Sequence, residues 1–426
     1  MKIALVSSDG SGAWFLLRLL REGNSCDYYL LEDDKTSRIL RGLVPDPIMA
    51  PPKKGWGQYD LVMFDGNSDG VLADSIRKQT PVLGCSSLSC RLEDDRLFGF
   101  EAMEQGGVDV PRYEAFDSPE KARAFLVKNP DRYVYKPFQE NGRDDIDCSV
   151  TYVSHSPSDM ERALDRLFQE SKGAPFVLQK FVEGTEVSTE AWFDGSQFHF
   201  INATLEEKKF LAGNHGPNTG CMGNSVWVYN QVPLVFSRGL GRMRTWLRDR
   251  EYRGMIDLNS IVTRQHVYGL EWTPRFGYAA SPTLLSLLAT PWAEFFLQFA
   301  ASPAGGITPD IRMDAEYGTS IDISVPPFPA PNAKVDRNLP VEGIDPDDAW
   351  QDTYLYDAME RNGELVTAGV NGDIGQILGR GHTLRGAWEN ALEAVRKVKA
   401  PDLQWRIDLE TSTGKRYKKL KESGWL

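Results

Sequence analysis

Gly216-Pro217-Asn218-Thr219-Gly220-Cys221-Met222-Gly223 places three glycines, an asparagine and a threonine within eight residues. Glycine at that density permits positive φ and close backbone approach. Such a loop can hold an anionic substrate with amides and short hydroxyls; the ordinary alternative is a surface turn. Upstream, Tyr133-Val134-Tyr135-Lys136-Pro137 is an apolar strand closed by a lysine, with Asn141-Gly142-Arg143 after it. An ammonium there can be aimed at a phosphate, although strand-end lysines are also commonly structural. Next comes Phe176-Val177-Leu178-Gln179-Lys180-Phe181-Val182-Glu183-Gly184-Thr185-Glu186. Extended backbone in such a linker offers an amide and a carbonyl that match an adenine edge, and a following carboxylate can accept both ribose hydroxyls. An ordinary strand–turn–strand reads the same way. Downstream, Asn259 on one expected strand faces Glu271 on the next, with Arg275 shortly after. Carboxyl and amide oxygens opposed across a hairpin suit magnesium (or manganese), which takes few protein oxygens and leaves room for phosphates. Asp257 shares a strand face with Asn259, and Arg275 can fork onto a carboxylate or phosphate. A plain cross-strand pair beside a surface arginine is the alternative.

Further out, Ile3-Ala4-Leu5-Val6, Leu61-Val62-Met63-Phe64 and Pro81-Val82-Leu83-Gly84 are short apolar runs, each followed by small or polar residues. Strands of this kind alternating with helices imply a parallel α/β layer, with its ligand at the carboxyl ends of the strands. Gly10-x-Gly12 invites a dinucleotide reading, but Phe15 stands at the third glycine position and no ribose acid is well placed, which argues against it. From about residue 90 the pattern changes to α+β. Helices are expected over Asp94–Gln105, Pro119–Lys128 and Ser158–Lys172. Strands are expected over Arg132–Tyr135, Phe176–Gln179, Glu186–Phe193, Phe198–Ala203, Met255–Val262 and Val267–Trp272. Residues 283–302 read as one buried helix. The proline-dense Val325–Pro331 marks a strand end or junction, and Thr383–Val398 is amphipathic helix.

The 426 residues allow two to four domains at ~100–200 residues each. Lys plus Arg number 48 against 60 for Asp plus Glu, a net charge of -12. That balance argues against general nucleic-acid binding, which needs a positive field, but leaves room for a local basic cleft. Five cysteines without metal-knuckle spacing suit a reducing cytoplasm. No apolar run reads as a membrane span.

The order of the segments (phosphate lysine, adenine linker with ribose acid, glycine loop, metal hairpin) resembles the ATP-grasp ligases, and among them the glycinamide ribonucleotide synthetase (phosphoribosylamine–glycine ligase) family. The glycine loop differs from that family's Gly-Pro-Asn-Thr-Gly-Gly-Met-Gly at Cys221 only. Glu271-Trp272-Thr273-Pro274-Arg275-Phe276-Gly277 is similar to its Glu-Phe-Asn-Cys-Arg-Phe-Gly, and Leu178 to Ser188 to its Ile-Glu-Glu-Phe-Leu-Asp-Gly-Glu-Glu-Ala-Ser. Leu92-Glu93-Asp94-Asp95-Arg96 resembles its Leu-Glu-Gly-Ser-Lys, and Gly381-His382-Thr383 its closing Gly-His-Thr. The resemblance implies an N-terminal α/β domain (1–90), an ATP-grasp domain of two lobes with ATP between them (91–320) and a small β-rich C-terminal domain (321–426). It implies that Arg96, Lys136 and Arg143 touch phosphates. Gln179 would accept the adenine amino group, Phe181 and Val182 would supply backbone contacts, and Glu186 would hold the ribose. Asn259 and Glu271 would ligate the metal. Asn218, Thr219, Gly220 and Arg275 would face the amino-acid substrate.

Departures from the family fall on the acceptor side. Thr273 replaces a metal asparagine. Arg275-Phe276-Gly277 continues as Tyr278-Ala279-Ala280 where the family has Asp-Pro-Glu. Ser8–Ala13 and Asp65–Asp69 replace two further loops, and in the family these loops converge on phosphoribosylamine. The expectation is a ligase that activates glycine or a similar small amino acid as an acyl phosphate and passes it to a changed amine acceptor, a modified nucleotide or nucleobase. A true phosphoribosylamine–glycine ligase of purine biosynthesis and an ATP-binding sensor or scaffold are the alternatives.

Overall fold

The computed structural model describes residues 1–31, 35–49, 51–67, 69–139, 150–301, 309–330 and 334–426. Lys2–Ser7 is the central strand of a five-stranded sheet. The order is Ile48–Met49, Ser25–Leu30, Lys2–Ser7, Leu61–Phe64, Val82–Leu83, and every pairing is parallel. Uninterrupted apolar runs fit strands covered on both faces. The helices Trp14–Arg21 and Gly70–Arg77 supply crossovers. As expected of such a sheet, the loops after Ser7 and Phe64 meet at the carboxyl ends. Asp65 accepts from Ser7 Oγ at 2.5 Å and from the Gly12 amide at 2.7 Å. A Cβ at position 12 would overlap the Asp65 carboxylate. Gly12→Ala is therefore expected to lose about 1–3 kcal/mol, the range for overpacking a tight interior, read as a lower midpoint in urea unfolding.

A four-stranded antiparallel sheet follows, in the order Tyr113–Phe116, Phe176–Lys180, Tyr133–Pro137, Tyr152–Val153. Helices Pro119–Lys128 and Pro157–Glu170 pack on it around Phe116, Leu126, Tyr135, Leu164 and Phe176. Both helices open with serine then proline. Proline's fixed φ suits a first helical turn, where no N–H is needed.

The nine-stranded sheet is antiparallel throughout. Its order is Val267–Thr273, Gly254–Val262, Thr185–Phe193, Phe198–Glu206, Gly223–Val228, Tyr317–Ser324, Asp373–Gly381, Thr353–Leu355, with Gln404–Trp405 also on Tyr317–Ser324. Strands from the last hundred residues thus complete the sheet that carries the hairpin of Asn259 and Glu271. Residue 320 lies inside the strand Tyr317–Ser324, and residue 90 inside the helix Ser87–Asp94.

The single helix expected over 283–302 is instead two, Ala280–Leu285 and Trp292–Ala301. Pro291 immediately precedes the second, since proline cannot sit in a helix interior. The first amides of that second helix are held from the other end of the chain. Glu22 accepts from Trp292 N at 3.0 Å and Ala293 N at 3.4 Å. Trp14 and Phe15 pack on Trp292 and Phe296 beside it. Thr383 caps Leu384–Val395 through the Gly386 amide at 3.1 Å, which explains the threonine of Gly-His-Thr. No helix among the described residues is long and apolar enough to cross a membrane.

Candidate ATP and substrate site

Lys136 sits near the end of its strand, 7% exposed, where burial and the neighbouring Arg96 draw its pKa down to about 8 against the pull of Glu271 and Glu186. Arg96, the first residue of the helix Arg96–Gly106, donates from Nε to the Pro137 carbonyl at 3.1 Å. The two cations therefore share one corner, as expected. Gln179 lies on the adjacent strand, opposite Val134. It is 1% exposed and its Nε2 has no hydrogen-bond partner. A buried amide nitrogen in that condition marks a place for a ligand's acceptor; turning the amide would present its oxygen instead. The Phe181 amide donates to the Arg132 carbonyl at 2.9 Å, and the Arg132 guanidinium lies 3.7 Å over the Phe181 ring. That N–H is not free for a base, because the protein itself uses it to close the linker. Val182 is half-buried beside it. Arg143, with Asn141 and Gly142, lies outside the described residues.

Across the cleft, Asn259 and Glu271 are direct cross-strand partners. Asn259 Nδ2 donates to Glu271 Oε1 at 3.3 Å and to Glu186 Oε1 at 3.0 Å. Glu186 also receives Lys208 Nζ at 3.0 Å, and Glu206 lies 4.0 Å from the same ammonium. Desolvation works to raise the Glu271 carboxyl, but Lys136, Lys208 and Arg96 outweigh it and hold the pKa at about 2. Desolvation likewise opposes the charge on Lys208, yet Glu186, Glu206 and Glu271 raise its pKa. Alternating charges thus run from Lys136 to Glu206. Asp257, on the same hairpin, is pushed well up by burial and by Glu190, and accepts from Ser188 Oγ at 2.7 Å.

Glu271 and the Asn259 amide oxygen, once the amide is turned, form a two-donor set on one side of the cleft. Among the described residues no group of three or more His, Cys, Asp or Glu could hold a metal ion. Two protein oxygens fit magnesium, whose shell is completed by phosphate oxygens and water.

The glycine segment is partly strand. His215–Asn218 pairs with Lys209–Leu211, and Gly216 takes φ 78°, which only glycine adopts readily. Thr219 spends both its amide (2.7 Å) and its hydroxyl (3.0 Å) on the Lys208 carbonyl. Asn218 is exposed. The loop thus positions Lys208, and of its expected substrate residues Gly220 lines the adjoining cleft, together with Thr273 and Arg275. Arg275 is bound to Glu93, with Nε at 3.0 Å and Nη2 at 2.8 Å, and lies 4.5 Å from the Tyr278 ring centroid. Glu93 in turn accepts from Asn67 Nδ2 at 2.7 Å, which ties Arg275 to the N-terminal loops.

Three residues of this site were missed in the sequence. Lys208 and Glu206 belong to the run Glu206-Glu207-Lys208-Lys209, which reads as a solvated stretch; only its position just ahead of the glycine loop hinted otherwise. Glu93 was part of a quoted motif, but nothing local pointed to Arg275, which is 182 positions away.

Residues 95–279 match the family model described as phosphoribosylglycinamide synthetase, ATP-grasp (A) domain. The phosphoribosylamine–glycine ligase of Streptomyces coelicolor is 24% identical over 356 residues, 79% of this chain and 80% of that one. The crystal structure of phosphoribosylamine–glycine ligase from Thermotoga maritima superposes with a TM-score of 0.71 at 20% identity, covering 96% of this chain and 100% of that one. An L-amino acid ligase from Bacillus licheniformis gives 0.60 at 13% identity, covering 94% and 98%. Residues 95–279 are therefore an ATP-grasp domain of the phosphoribosylglycinamide synthetase type, and the chain as a whole has the ATP-grasp fold.

Proposed function

We propose that this chain is an ATP-dependent carboxylate–amine ligase that activates glycine or a similar small amino acid and joins it to an amine, forming a C–N bond. The observation that carries the reading is the charged corner formed by Lys136, Arg96 and Lys208 around Glu271, with Asn259 directly opposite that carboxylate. Lys136 and Arg96 bind oxygens of the phosphate chain, Gln179 meets the base and Glu186 the ribose. Magnesium held by Glu271 and Asn259 supplies charge neutralisation at the phosphates when bound. The amino-acid carboxylate attacks the γ-phosphorus, an O–P bond forms, and the bond to the bridging oxygen breaks to release ADP. Fixed cations beside the transferring group offset its spread charge without rearranging. The acceptor nitrogen then attacks the acyl carbon, phosphate leaves with the C–O bonding pair, and the nitrogen gives up a proton. No side chain serves as covalent nucleophile.

The acceptor is a modified nucleotide or nucleobase in this reading, because the acceptor-side loops depart from the family while the nucleotide side keeps its motifs. The names of the relatives favour a second reading, in which the acceptor is phosphoribosylamine itself. Rescue of a purine auxotroph would establish the second and remove the first. The shared chemistry is tested by incubating the protein with MgATP, hydroxylamine and each of the twenty amino acids. A hydroxamate and ADP with one of them supports a ligase; nucleotide binding without ADP under any amine would replace it with a sensor.

Lys136 gives the nucleotide site a pH signature. With its pKa at about 8 it is largely neutral at pH 9 in the free protein, and phosphate binding restores its charge. ATP affinity is expected to fall above pH 8, by up to about tenfold per pH unit, with proton uptake on binding. Calorimetry in two buffers of unlike ionisation enthalpy measures both. An affinity that stays flat from pH 7 to about 9.5 would overturn this pH signature.

A further inference from the structure

Beside Gly220 and Arg275 opens a cleft of about 480 Å³ where the N-terminal loops, the large sheet and the C-terminal strands meet. Its lining is the reverse of a phosphate site. Asp9 enters from the first loop, Glu206 from the glycine side, and Asp322, Asp373 and Gln376 from two paired strands. Asp322 and Gln376 are register partners, 2% and 3% exposed. Asp322 and Asp373 hydrogen-bond to each other as a buried acid pair, and Gln376 Oε1 beside them is a buried acceptor with no donor. Buried acceptors in native proteins are normally satisfied, and an acid pair beside an unpaired amide oxygen at the wall of one cleft suits N–H groups from outside the chain. The cations among the described lining residues are already committed, Lys208 to Glu186 and Glu206, and Arg275 to Glu93. Tyr354 and Tyr356 add aromatic walls, which suit a cationic or base-like group. Burial raises the Asp322 and Asp373 carboxyls, and each acts on the other, as two acids do when no cation lies between them.

We infer that this cleft receives the acceptor through N–H donors: the acceptor is an amine with a second, cationic or N–H-rich group beside the reacting nitrogen, and no phosphate enters the cleft. Assigning the cleft to the acceptor rests on the ligase reading; its preference for a cationic amine over a phosphorylated one does not. Of the acceptors considered above, a nucleotide-derived one would have to present its base side, and phosphoribosylamine fits poorly.

The test compares ethylenediamine, ethanolamine and phosphoethanolamine by calorimetric titration into the full chain without nucleotide, so that binding is read apart from turnover. Ethylenediamine is expected to bind at least about tenfold more tightly than phosphoethanolamine, the scale of one charge-assisted hydrogen bond. Asp322→Asn and Asp373→Asn should each weaken it by a similar factor, with the thermal midpoint kept as a folding control. Equal or tighter binding of phosphoethanolamine, or no difference among the three amines on the wild-type chain, overturns the inference even if neither variant folds. The hydroxamate assay fails or succeeds separately, so loss of the ligase reading and loss of this one are distinguishable.

Discussion

Glu271→Gln is expected to reduce ADP formation by about 10³-fold or more while leaving the fold intact. The carboxylate is held ionised at about 2 by Lys136, Lys208 and Arg96, so it carries full charge at any working pH. Its replacement by an amide of the same shape removes two things together. Lys136, Lys208 and Arg96 lose a counter-charge, and the two-oxygen set proposed for the metal loses its only charged member, while the glutamine oxygen can still accept from Asn259. A metal ion's contribution to charge stabilisation at a phosphoryl group is several kcal/mol, and each ~1.4 kcal/mol is tenfold in rate. The measurement is ADP release against magnesium concentration. The variant should need more magnesium and still not regain the wild-type rate at saturation. A rate within about threefold of wild type, under half a pKa unit in free energy, would remove Glu271 from the site. The contrast with Asp257→Asn is informative. That acid is on the same hairpin, but burial pushes its carboxyl well up and Ser188 already satisfies it, so its loss should leave the magnesium dependence unchanged.

Arg406→Met carries the largest expected effect on stability, a loss of about 3–5 kcal/mol, the range for removing one partner of a buried ion pair. The Arg406 side chain has no exposed surface. It reaches Asp408 at 2.6 Å and Glu207 at 3.5 Å. It also donates to the Lys209 carbonyl at 3.0 Å and to Asn214 Oδ1 at 2.9 Å. Methionine keeps much of the stem volume, so the missing quantity is charge and hydrogen bonding rather than bulk. Glu207, 4% exposed, would keep Arg416, and the base of the glycine hairpin would lose the Arg406 bonds to Lys209 and Asn214 while keeping the Gly213 amide on Asp408 at 2.8 Å. Denaturant unfolding gives the stability loss. Amino-acid KM, expected to rise because Thr219 then positions Lys208 less firmly, separates the loop effect from general unfolding. Arg385→Met is the control, since its i,i+4 pair with Glu389 is exposed on both sides and its loss should leave the unfolding midpoint unchanged.

Strands with continuous apolar runs were legible: Lys2–Ser7, Leu61–Phe64, Phe176–Lys180 and the hairpin of Asn259 and Glu271 fall where their patterns place them. Ser25–Leu30 was not, because Ser-Cys-Asp-Tyr-Tyr-Leu has no clean period; its Asp27 is satisfied by Tyr59 Oη at 2.6 Å, a partner 32 residues on. Likewise, nothing local shows that Asp373–Gly381 extends the same sheet as Thr185–Phe193, because strand order is set by pairings between distant segments. In the candidate site, the placement of residues carried by their own strand (Lys136, Gln179, Asn259, Glu271) was legible in the sequence. The setting of those that depend on a distant partner was not. Lys208 depends on Glu186, Arg275 on Glu93, and the acid cleft on three parts of the chain meeting. The Thr219 hydroxyl donates to the Lys208 carbonyl, a partner that no local pattern indicates.

Activation of a carboxylate by ATP as an acyl phosphate is read out with the amino acid found active in the hydroxylamine assay, labelled with oxygen-18 in its carboxyl group. MgATP and hydroxylamine complete the mixture, and the released phosphate is analysed by mass. Transfer of one labelled oxygen to phosphate, with ADP as the nucleotide product, is the predicted result. ADP with unlabelled phosphate would mean that water, not the carboxylate, attacks the γ-phosphorus. AMP with pyrophosphate would mean an acyl adenylate, and either would rule out the acyl phosphate.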